Sequence, residues 1–281
     1  MNPDLRFRKT DWALILGASS GFGGATAIEL ARHGMNICGV HFDRAATMPL
    51  AEETKKAIAA TGVEIFFFNV NAADPAKRNE VLDSLKAHLE KTKGAFVRVL
   101  MHSLAFGTLK PYISEKPEEM MTQQQVEMTL DVMANSLVYW TQGAFTRKLL
   151  GKGSRIYAMT SSGGRTQIPH YGAVSAAKAA LEAHIRQLTM ELGSFGITAN
   201  SIMAGVTDTP ALRKIPAAMK LINTAVAKNP RMRLTIPEDI ARAIVLITHE
   251  YGDFIAGQVV AVDGGEEVVS YIGQKNAREL E

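Results

Sequence analysis

The apolar run at residues 12–16, Trp-Ala-Leu-Ile-Leu, and the loop Gly17-Ala18-Ser19-Ser20-Gly21-Phe22-Gly23 that follows it decide the fold of this chain. The apolar run is typical of a buried strand, and the alanine-rich stretch 23–33 has helical spacing. Glycines permit a tight turn and let backbone N–H groups approach a pyrophosphate at the positive end of a helix. This order predicts a dinucleotide site whose phosphate-binding residues are Gly17, Ser19, Ser20, Gly21, Phe22 and Gly23.

Outward from this loop, short apolar runs alternate with amphipathic stretches over residues 12–263. The alternation is typical of a parallel sheet with crossover helices. It predicts an α/β fold, a doubly wound Rossmann-type parallel seven-stranded sheet, with residues 1–281 in a single domain. The predicted strands are 12–16, 36–42, 64–68, 97–101, 155–159, 198–202 and 259–262, and the predicted helices are 23–33, 50–60, 76–91, 124–150, 171–192 and 237–248.

The composition of the 281 residues, 47% hydrophobic and 21% charged, fits an ordered chain with a large core and excludes a mostly disordered one. The net charge is +3 and the basic residues are scattered, which argues against nucleic acid as a partner. The single Cys38 excludes an intramolecular disulfide and a cysteine-based zinc site, and we expect no metal. With no secretory signal pattern and no apolar run of about 18 residues, we expect a cytoplasmic protein without a membrane span.

The spacing Gly-x-x-x-Gly-x-Gly resembles the short-chain dehydrogenase/reductase superfamily, and further stretches in the same order extend the resemblance over nearly the whole chain. The resemblance implies that Asn71 and Ala72 flank the adenine of a nicotinamide cofactor. It places Ser103, Leu104 and Ala105 beside the ribose and nicotinamide. The residues expected to cover the carboxamide are Gly205, Val206, Thr207 and Thr209.

Tyr171 and Lys178 are the candidate catalytic pair. Most members of the superfamily have Tyr-x-x-x-Lys, but the residue four positions before Lys178 is Val174. Seven residues are close to two helical turns, so Tyr171 and Lys178 can point to one side of the helix. A phenol that stabilises an oxyanion or delivers a proton needs a nearby ammonium, which lowers its pKa and holds the nicotinamide ribose.

The longer Tyr–Lys spacing resembles the divergent branch that contains the type I and type III enoyl-acyl-carrier-protein reductases. The segment His102-Ser103-Leu104-Ala105 also looks like the His-Ser-x-x segment of the type I enzymes. A second tyrosine of type I enzymes is replaced by Ser161, which is a candidate for a hydrogen bond to the substrate oxygen or for a loop cap. Ordinary ketoreductases have a relay asparagine where this chain has Met133, so we expect no intact relay, and we expect Asn135 to make a local helix hydrogen bond.

The second predicted strand ends in His41-Phe42-Asp43-Arg44. An acidic residue at this strand end accepts hydrogen bonds from the ribose hydroxyls of NAD, whereas a basic residue pairs with the 2′-phosphate of NADP. Phe42 holds the last strand position and Asp43 follows it. We therefore predict NADPH as the cofactor, bound through Arg44 with help from Ser20 and His41, and NADH as the alternative.

Residues 204–236 form the longest stretch without clear periodicity and are predicted to be an irregular substrate-covering segment. An acyl chain would pack against side chains of this region, and its basic residues would attract an acidic carrier protein. Simple packing and a solvated surface are the respective alternatives. The candidate walls are Met203, Leu212, Ile215, Met219 and Leu221, and the basic residues are Lys214, Lys220, Lys228, Arg231 and Arg233.

The resemblance implies an NAD(P)H-dependent reductase that acts on the trans-2 double bond of enoyl thioesters in fatty-acid synthesis or related metabolism. The thioester is a small molecule carried by acyl carrier protein or coenzyme A. The alternative is an NADP-dependent ketone or alcohol oxidoreductase of the same superfamily. A cofactor sensor without catalysis is disfavoured because Tyr171 and Lys178 are both present. The resemblance further implies a homo-oligomer, a tetramer or dimer.

Overall fold

A computed structural model of the chain describes residues 5–209, 212–215 and 218–270. The described residues form one parallel sheet in the order β3-β2-β1-β4-β5-β6-β7, which confirms the predicted doubly wound α/β fold. The order reverses between β1 and β4, as expected when crossover helices cover both faces. The strands are β1 Asp11–Leu16, β2 Asn36–His41, β3 Ile65–Asn69, β4 Phe96–His102, β5 Arg155–Thr160, β6 Thr198–Ala204 and β7 Val259–Val262.

Helices cover the two faces of this sheet and bury two hydrophobic cores. Side chains alternate along β1, so Leu14 packs in the core with α3, α5 and α6, whereas Ile15 packs in the core with α1, α2 and α8. The helices are α1 Gly21–Arg32, α2 Met48–Ala59, α3 Pro75–Leu89, α4 Gln123–Leu130, α5 Ser136–Thr146, α6 Gly172–Leu192, α7 Ala218–Lys228 and α8 Pro237–Thr248. Cys38 is buried in β2.

The predicted helix 124–150 is wrong in its continuity and in its end. A π-turn, Asp131–Asn135, separates α4 from α5, and α5 ends at Thr146. The Ser136 hydroxyl donates to the backbone oxygen of Val132 at 2.9 Å within this turn. A π-turn inserts an extra residue into the helix, and periodicity alone does not reveal such an insertion.

The segment 204–236 is less irregular than predicted, because α7 lies within it. Prolines on both sides of this helix obscure its short amphipathic pattern. Pro210 and Pro216 lie outside the described residues, as does the side chain of Lys214. None of the described helices is both long and apolar enough to cross a bilayer.

Candidate functional site

A cavity of about 310 Å³ opens at the carboxyl edge of the central strands. The parallel register sets the ends of three strands side by side, because Leu16 pairs with His102 and His102 pairs with Ala158. Loops that leave these strands therefore meet at one edge, as ligand sites in open α/β sheets do. Eleven predicted site residues line the cavity: Phe22, Ser103, Leu104, Ala105, Ser161, Tyr171, Lys178, Gly205, Val206, Thr207 and Thr209.

The glycine-rich loop leaves no room for a side chain at Gly17 or at Gly23. A Cβ atom on Gly17 would lie 2.4 Å from the backbone oxygen of Ser103, and one on Gly23 would lie 2.2 Å from the backbone oxygen of Gly17. Gly17 also has a φ of +88°, a conformation that favours glycine. The loop therefore brings the start of α1 directly against the carboxyl end of β1.

The start of α1 fits a phosphate group. Its N-cap, Ser20, makes no side-chain capping bond, and the first turn contains no acidic residue. The first backbone N–H groups of a helix lack intrahelical partners and carry partial positive charge, so they attract an anion. A Cβ atom on Gly21 would meet no atom within 4 Å, so there is open space beside this turn.

Tyr171, Lys178 and Ser161 converge on the cavity. Tyr171 is the N-cap of α6, because the helix begins at Gly172, one residue later than the sequence predicted. Lys178 lies within α6, is only 6% exposed, and its Nζ donates to the backbone oxygen of Met159 at 2.7 Å. The Ser161 hydroxyl accepts from the Gly163 N–H at 2.9 Å, so it caps the loop after β5 while facing the same cavity.

Burial changes the proton affinity of this pair. Loss of solvent lowers the pKa of Lys178 to about 8. It raises the pKa of Tyr171 above its usual value, while a hydrogen bond with Ser161 opposes that rise. Desolvation always disfavours the charged form, so it acts in opposite directions on an amine and a phenol. The phenol is therefore neutral and able to donate a proton near neutral pH.

Gly163 makes room for the tyrosine ring. A Cβ atom at this position would lie 2.6 Å from Cε1 of Tyr171 and 3.1 Å from the Ser161 hydroxyl oxygen. The chain after β5 thus packs against the Tyr171 ring with no side chain between them. Sequence reasoning did not single out Gly163, although its place directly after Ser161-Ser162 was the available signal.

His102, at the end of β4, connects this strand to the π-turn. Its Nε2 lies 2.8 Å from the hydroxyl of Ser136, and both residues are buried. Burial and the neighbouring Lys178 charge lower the pKa of His102 to about 3, so the imidazole is neutral. On the same turn Met133 lines the cavity, whereas Asn135 does not. The local helix hydrogen bond predicted for Asn135 is wrong, because its Oδ1 lies 3.2 Å from Nε2 of the distant His184.

The end of β2 differs from the prediction for His41. The His41 ring is buried, and its Nδ1 lies 2.9 Å from a carboxylate oxygen of Asp43, so it faces Asp43 instead of an incoming phosphate. Burial of Asp43 raises its pKa, but hydrogen bonds with Thr47, Ser19 and His41 outweigh it and leave the pKa lowered. Arg44 is exposed, and none of the described residues forms an ion pair with its guanidinium.

The remaining predicted cofactor residues lie along the sheet edge, outside the cavity wall. Asn71 and Ala72 follow β3, where the Asn71 carboxamide oxygen accepts from the Ala73 N–H at 3.0 Å. The backbone oxygen of buried Ala72 accepts from the Trp140 indole at 2.8 Å. The predicted residues outside the cavity wall are Gly17, Ser19, Ser20, Gly21, Gly23, Arg44, Asn71 and Ala72.

Of the five candidate acyl-chain walls, Leu212, Ile215 and Leu221 line the cavity. Met203 and Met219 do not: Met203 is buried in β6, and Met219 is 66% exposed on α7. The sequence alone does not show which way a side chain on β6 or α7 points, so it could not separate these two methionines from the three wall residues. Apolar wall residues that the sequence reasoning missed include Phe106 and Leu109 from the loop after β4, Ile168 from the loop before α6, and Val174 within α6.

Comparison with known proteins identifies the family. A family model described as enoyl-(acyl carrier protein) reductase matches residues 17–267. The chain belongs to this family. It is a member of the short-chain dehydrogenase/reductase superfamily that resembles enoyl-acyl-carrier-protein reductases, as the motifs predicted.

The relatives carry different names. An NADPH-dependent aldehyde reductase-like chloroplastic protein of Arabidopsis thaliana is 28% identical, with 90% of this chain and 93% of the relative covered. An NADH enoyl-acyl-carrier-protein reductase of Aquifex aeolicus is 26% identical, with 70% and 72% covered. The crystal structure of FabI from Candidatus Liberibacter asiaticus shares the fold, with a TM-score of 0.81, 20% identity, and coverage of 96% and 99%. The chain is therefore a nicotinamide-dependent short-chain oxidoreductase.

Proposed function

We propose that this protein reduces the trans-2 double bond of enoyl thioesters. The observation that carries the proposal is the placement of Tyr171 and Lys178, seven residues apart, on one cavity that also has Met133 on its wall. Met133 has no proton to relay, so the site has the phenol and ammonium of a reductase without the asparagine expected for carbonyl reduction. The relative from Aquifex aeolicus, named as an enoyl-acyl-carrier-protein reductase, supports the same reaction class.

When bound, the reduced nicotinamide would supply a hydride to the β-carbon of the substrate, and the enolate that forms would then take up a proton at the α-carbon. The neutral Tyr171 hydroxyl is placed to donate to the thioester oxygen, on which negative charge develops. Such a donor typically contributes a few kcal/mol to transition-state stabilisation. Lys178, when protonated, would add positive charge to the cavity that Tyr171 also lines and would hold the ribose, while its bond to Met159 fixes the position of Nζ.

A carbonyl or alcohol oxidoreductase is the second candidate function. The placement of Ser161 and Tyr171 on one cavity wall favours it, since both hydroxyls can donate to a ketone or aldehyde oxygen. The Arabidopsis relative is named as an aldehyde reductase-like protein. In this reaction Tyr171 would protonate the oxygen that receives the electron pair.

For the cofactor we propose NADPH, with the phosphate loop at the start of α1 and with Arg44 beside the adenosine ribose. The exposed guanidinium of Arg44 supports this choice, because a 2′-phosphate can form charge-assisted hydrogen bonds with it. The anionic Asp43 next to it favours NADH instead. An Arg44→Ala variant is expected to lose affinity for NADPH and to keep its affinity for NADH, as measured by fluorescence titration.

The substrate-covering role of residues 204–236 is part of the proposal. Leu212, Ile215 and Leu221 add apolar surface to the cavity from this segment, opposite the loop after β4. The exposed Lys220 and Arg231 of this segment would attract an acidic carrier protein, whereas Lys228 and Arg233 form ion pairs with Glu267 and Asp239.

The two functions separate in one assay series. Purified protein is incubated with NADPH and either crotonyl or longer enoyl thioesters, or with ketones and aldehydes, and cofactor oxidation is followed by absorbance. We expect oxidation with the thioesters that is lost in Tyr171→Phe. Turnover of ketones or aldehydes with none of the enoyl thioesters would overturn the first proposal in favour of the second.

A further inference from the structure

Glu266 lies directly behind the loop 205–209 that forms one wall of the cavity. It belongs to the short 3-10 turn Glu266–Val268 after β7 and is 4% exposed. Both of its carboxylate oxygens lie 3.3 Å from the backbone nitrogen of Val206, whose N–H donates to them. A Cβ atom on Gly205 would lie 2.9 Å from Oε2 of Glu266, so the carboxylate and the loop backbone are in close contact.

Other polar groups hold the carboxylate in this position. The Asn229 side chain hydrogen-bonds with Glu266, and its Nδ2 donates to the backbone oxygen of Asp263 at 2.8 Å. The charged neighbours of Glu266 are Glu267 and Lys228. These two form an ion pair, with Nζ of Lys228 3.8 Å from Oε1 of Glu267. The carboxylate is thus supported from the turn after β7 and from the end of α7.

This carboxylate is costly to bury. Burial raises the pKa of Glu266 above its ordinary value, although the bonds from Val206 and Asn229 oppose the rise. An apolar side chain would occupy the same space without the desolvation penalty. It would however leave the Val206 N–H unpaired, and an unpaired buried donor is itself unfavourable. The useful property of Glu266 is therefore its hydrogen bonding to the loop.

We infer that Glu266 is a positioning residue that fixes the loop 205–209 against the nicotinamide half of the cofactor. The inference rests on the proposed function in one respect, the placement of the nicotinamide beside this loop. Gly205, Val206 and Thr207 face the cavity on one side, while Glu266 holds the loop from the other. Thr207 adds a bond within the loop, because its hydroxyl donates to the backbone oxygen of Gly205 at 2.9 Å.

The test compares the whole cofactor with a fragment that lacks nicotinamide. NADPH and 2′-phospho-ADP-ribose are titrated by calorimetry against the full chain and against Glu266→Ala, with NADH and ADP-ribose measured alongside. We expect Glu266→Ala to bind the dinucleotide about tenfold more weakly, as the loss of a buried hydrogen bond predicts. The fragment is expected to bind within about twofold of the unaltered protein, because it does not reach the loop.

Glu267→Gln is the matched control, since Glu267 is the adjacent carboxylate and pairs with Lys228 instead of the loop. It is expected to bind both ligands as the unaltered protein does. Glu266→Gln keeps one acceptor oxygen for Val206, so its affinity for the dinucleotide should lie between those of Glu266→Ala and the unaltered protein. If Glu266→Ala fails to fold, the comparison of Glu266→Gln with Glu267→Gln decides.

Equal weakening of dinucleotide and fragment would show a general structural role and overturn the inference, as would unchanged binding of the dinucleotide in both Glu266 variants. These readouts do not depend on which substrate is reduced. A protein that fails to reduce enoyl thioesters but shows the selective loss of dinucleotide affinity would contradict the proposed reaction and keep the role of Glu266.

Discussion

The glycine-rich loop and the segment 204–236 form two sides of the same site and are packed in opposite ways. At the loop, Cβ atoms on Gly17 and Gly23 would lie 2.4 Å and 2.2 Å from backbone oxygens. In α7, which belongs to the segment, Ala225 is the buried residue, and Met219 is largely exposed. One region is held by contacts between backbone atoms, and the other by side chains that project from a helix.

Because of this difference, we expect the two regions to tolerate amino-acid substitutions unequally. Backbone-to-backbone contact leaves no room for a larger residue at Gly17 or Gly23, so these two positions tolerate almost no substitution. Side chains on a half-exposed helix can be exchanged with little effect on stability, so the segment can change the fit of a substrate without disturbing the cofactor site. The substitutions at Gly23 and Leu221 test this comparison, and two predictions on Tyr171 and Lys178 test the catalytic pair between the two regions.

The largest effect is expected for Gly23→Ala. Its methyl group would overlap the backbone oxygen of Gly17, so we expect a loss of about 3 kcal/mol in the free energy of unfolding and loss of NADPH binding. Gly24→Ala is the matched control, because its Cβ would be 3.4 Å from its neighbours and alanine favours a helix. Urea denaturation and titration with NADPH measure both; equal stability of the two variants would contradict the overlap.

Tyr171→Phe should lower kcat at least about 100-fold, because the phenol is the group placed to donate to the substrate oxygen. Its folding and its affinity for NADPH should hardly change. The control is Tyr251→Phe, which alters an exposed tyrosine and should leave kcat unchanged. A Tyr171→Phe variant with normal kcat would remove Tyr171 from the proposed chemistry.

The pH dependence of kcat/KM should show an alkaline limb. Lys178 has a pKa of about 8 in the cofactor-free protein, and it needs its proton to assist Tyr171. Above that pH the ammonium is lost, so kcat/KM should fall by up to about tenfold per pH unit, and below it the profile should be level. In Lys178→Arg the guanidinium stays charged, so the residual activity should lack this limb. An unchanged limb in that variant would assign it to another group.

The smallest effect is expected for Leu221→Ala in the segment 204–236. It should lower kcat/KM for a long enoyl thioester about fivefold, since a half-buried side chain contributes about 1 kcal/mol. The value for crotonyl thioester should stay the same. Met219→Ala, two residues away and off the cavity wall, should change neither. If Leu221→Ala lost as much stability as Gly23→Ala, the expected difference in tolerance between the two regions would be wrong.

Much of the fold and part of the site were predictable because their signals are local. The strand at residues 11–16 and the glycines after it give apolar periodicity and turn chemistry within one short stretch. The π-turn was missed because one inserted residue leaves the apolar pattern of the helix almost unchanged. The helix α7 was missed because it is short and lies among prolines.

The sequence by itself determined the alternating strands and helices, the phosphate loop and the pairing of Tyr171 with Lys178, since each depends on spacing along one chain. Three contacts were decided only by the tertiary structure. The Asp43 carboxylate lies against the His41 ring, Ser136 contacts His102, and Glu266 accepts a hydrogen bond from the loop 205–209. Ser136 follows His102 by 34 residues, and Glu266 follows Val206 by 60, so these contacts exist only after the sheet brings distant loops to one edge. Even the contact between His41 and Asp43, two residues apart, depends on the turn at the end of β2 and on burial of the His41 ring. Neither composition nor hydrophobic periodicity predicts this contact.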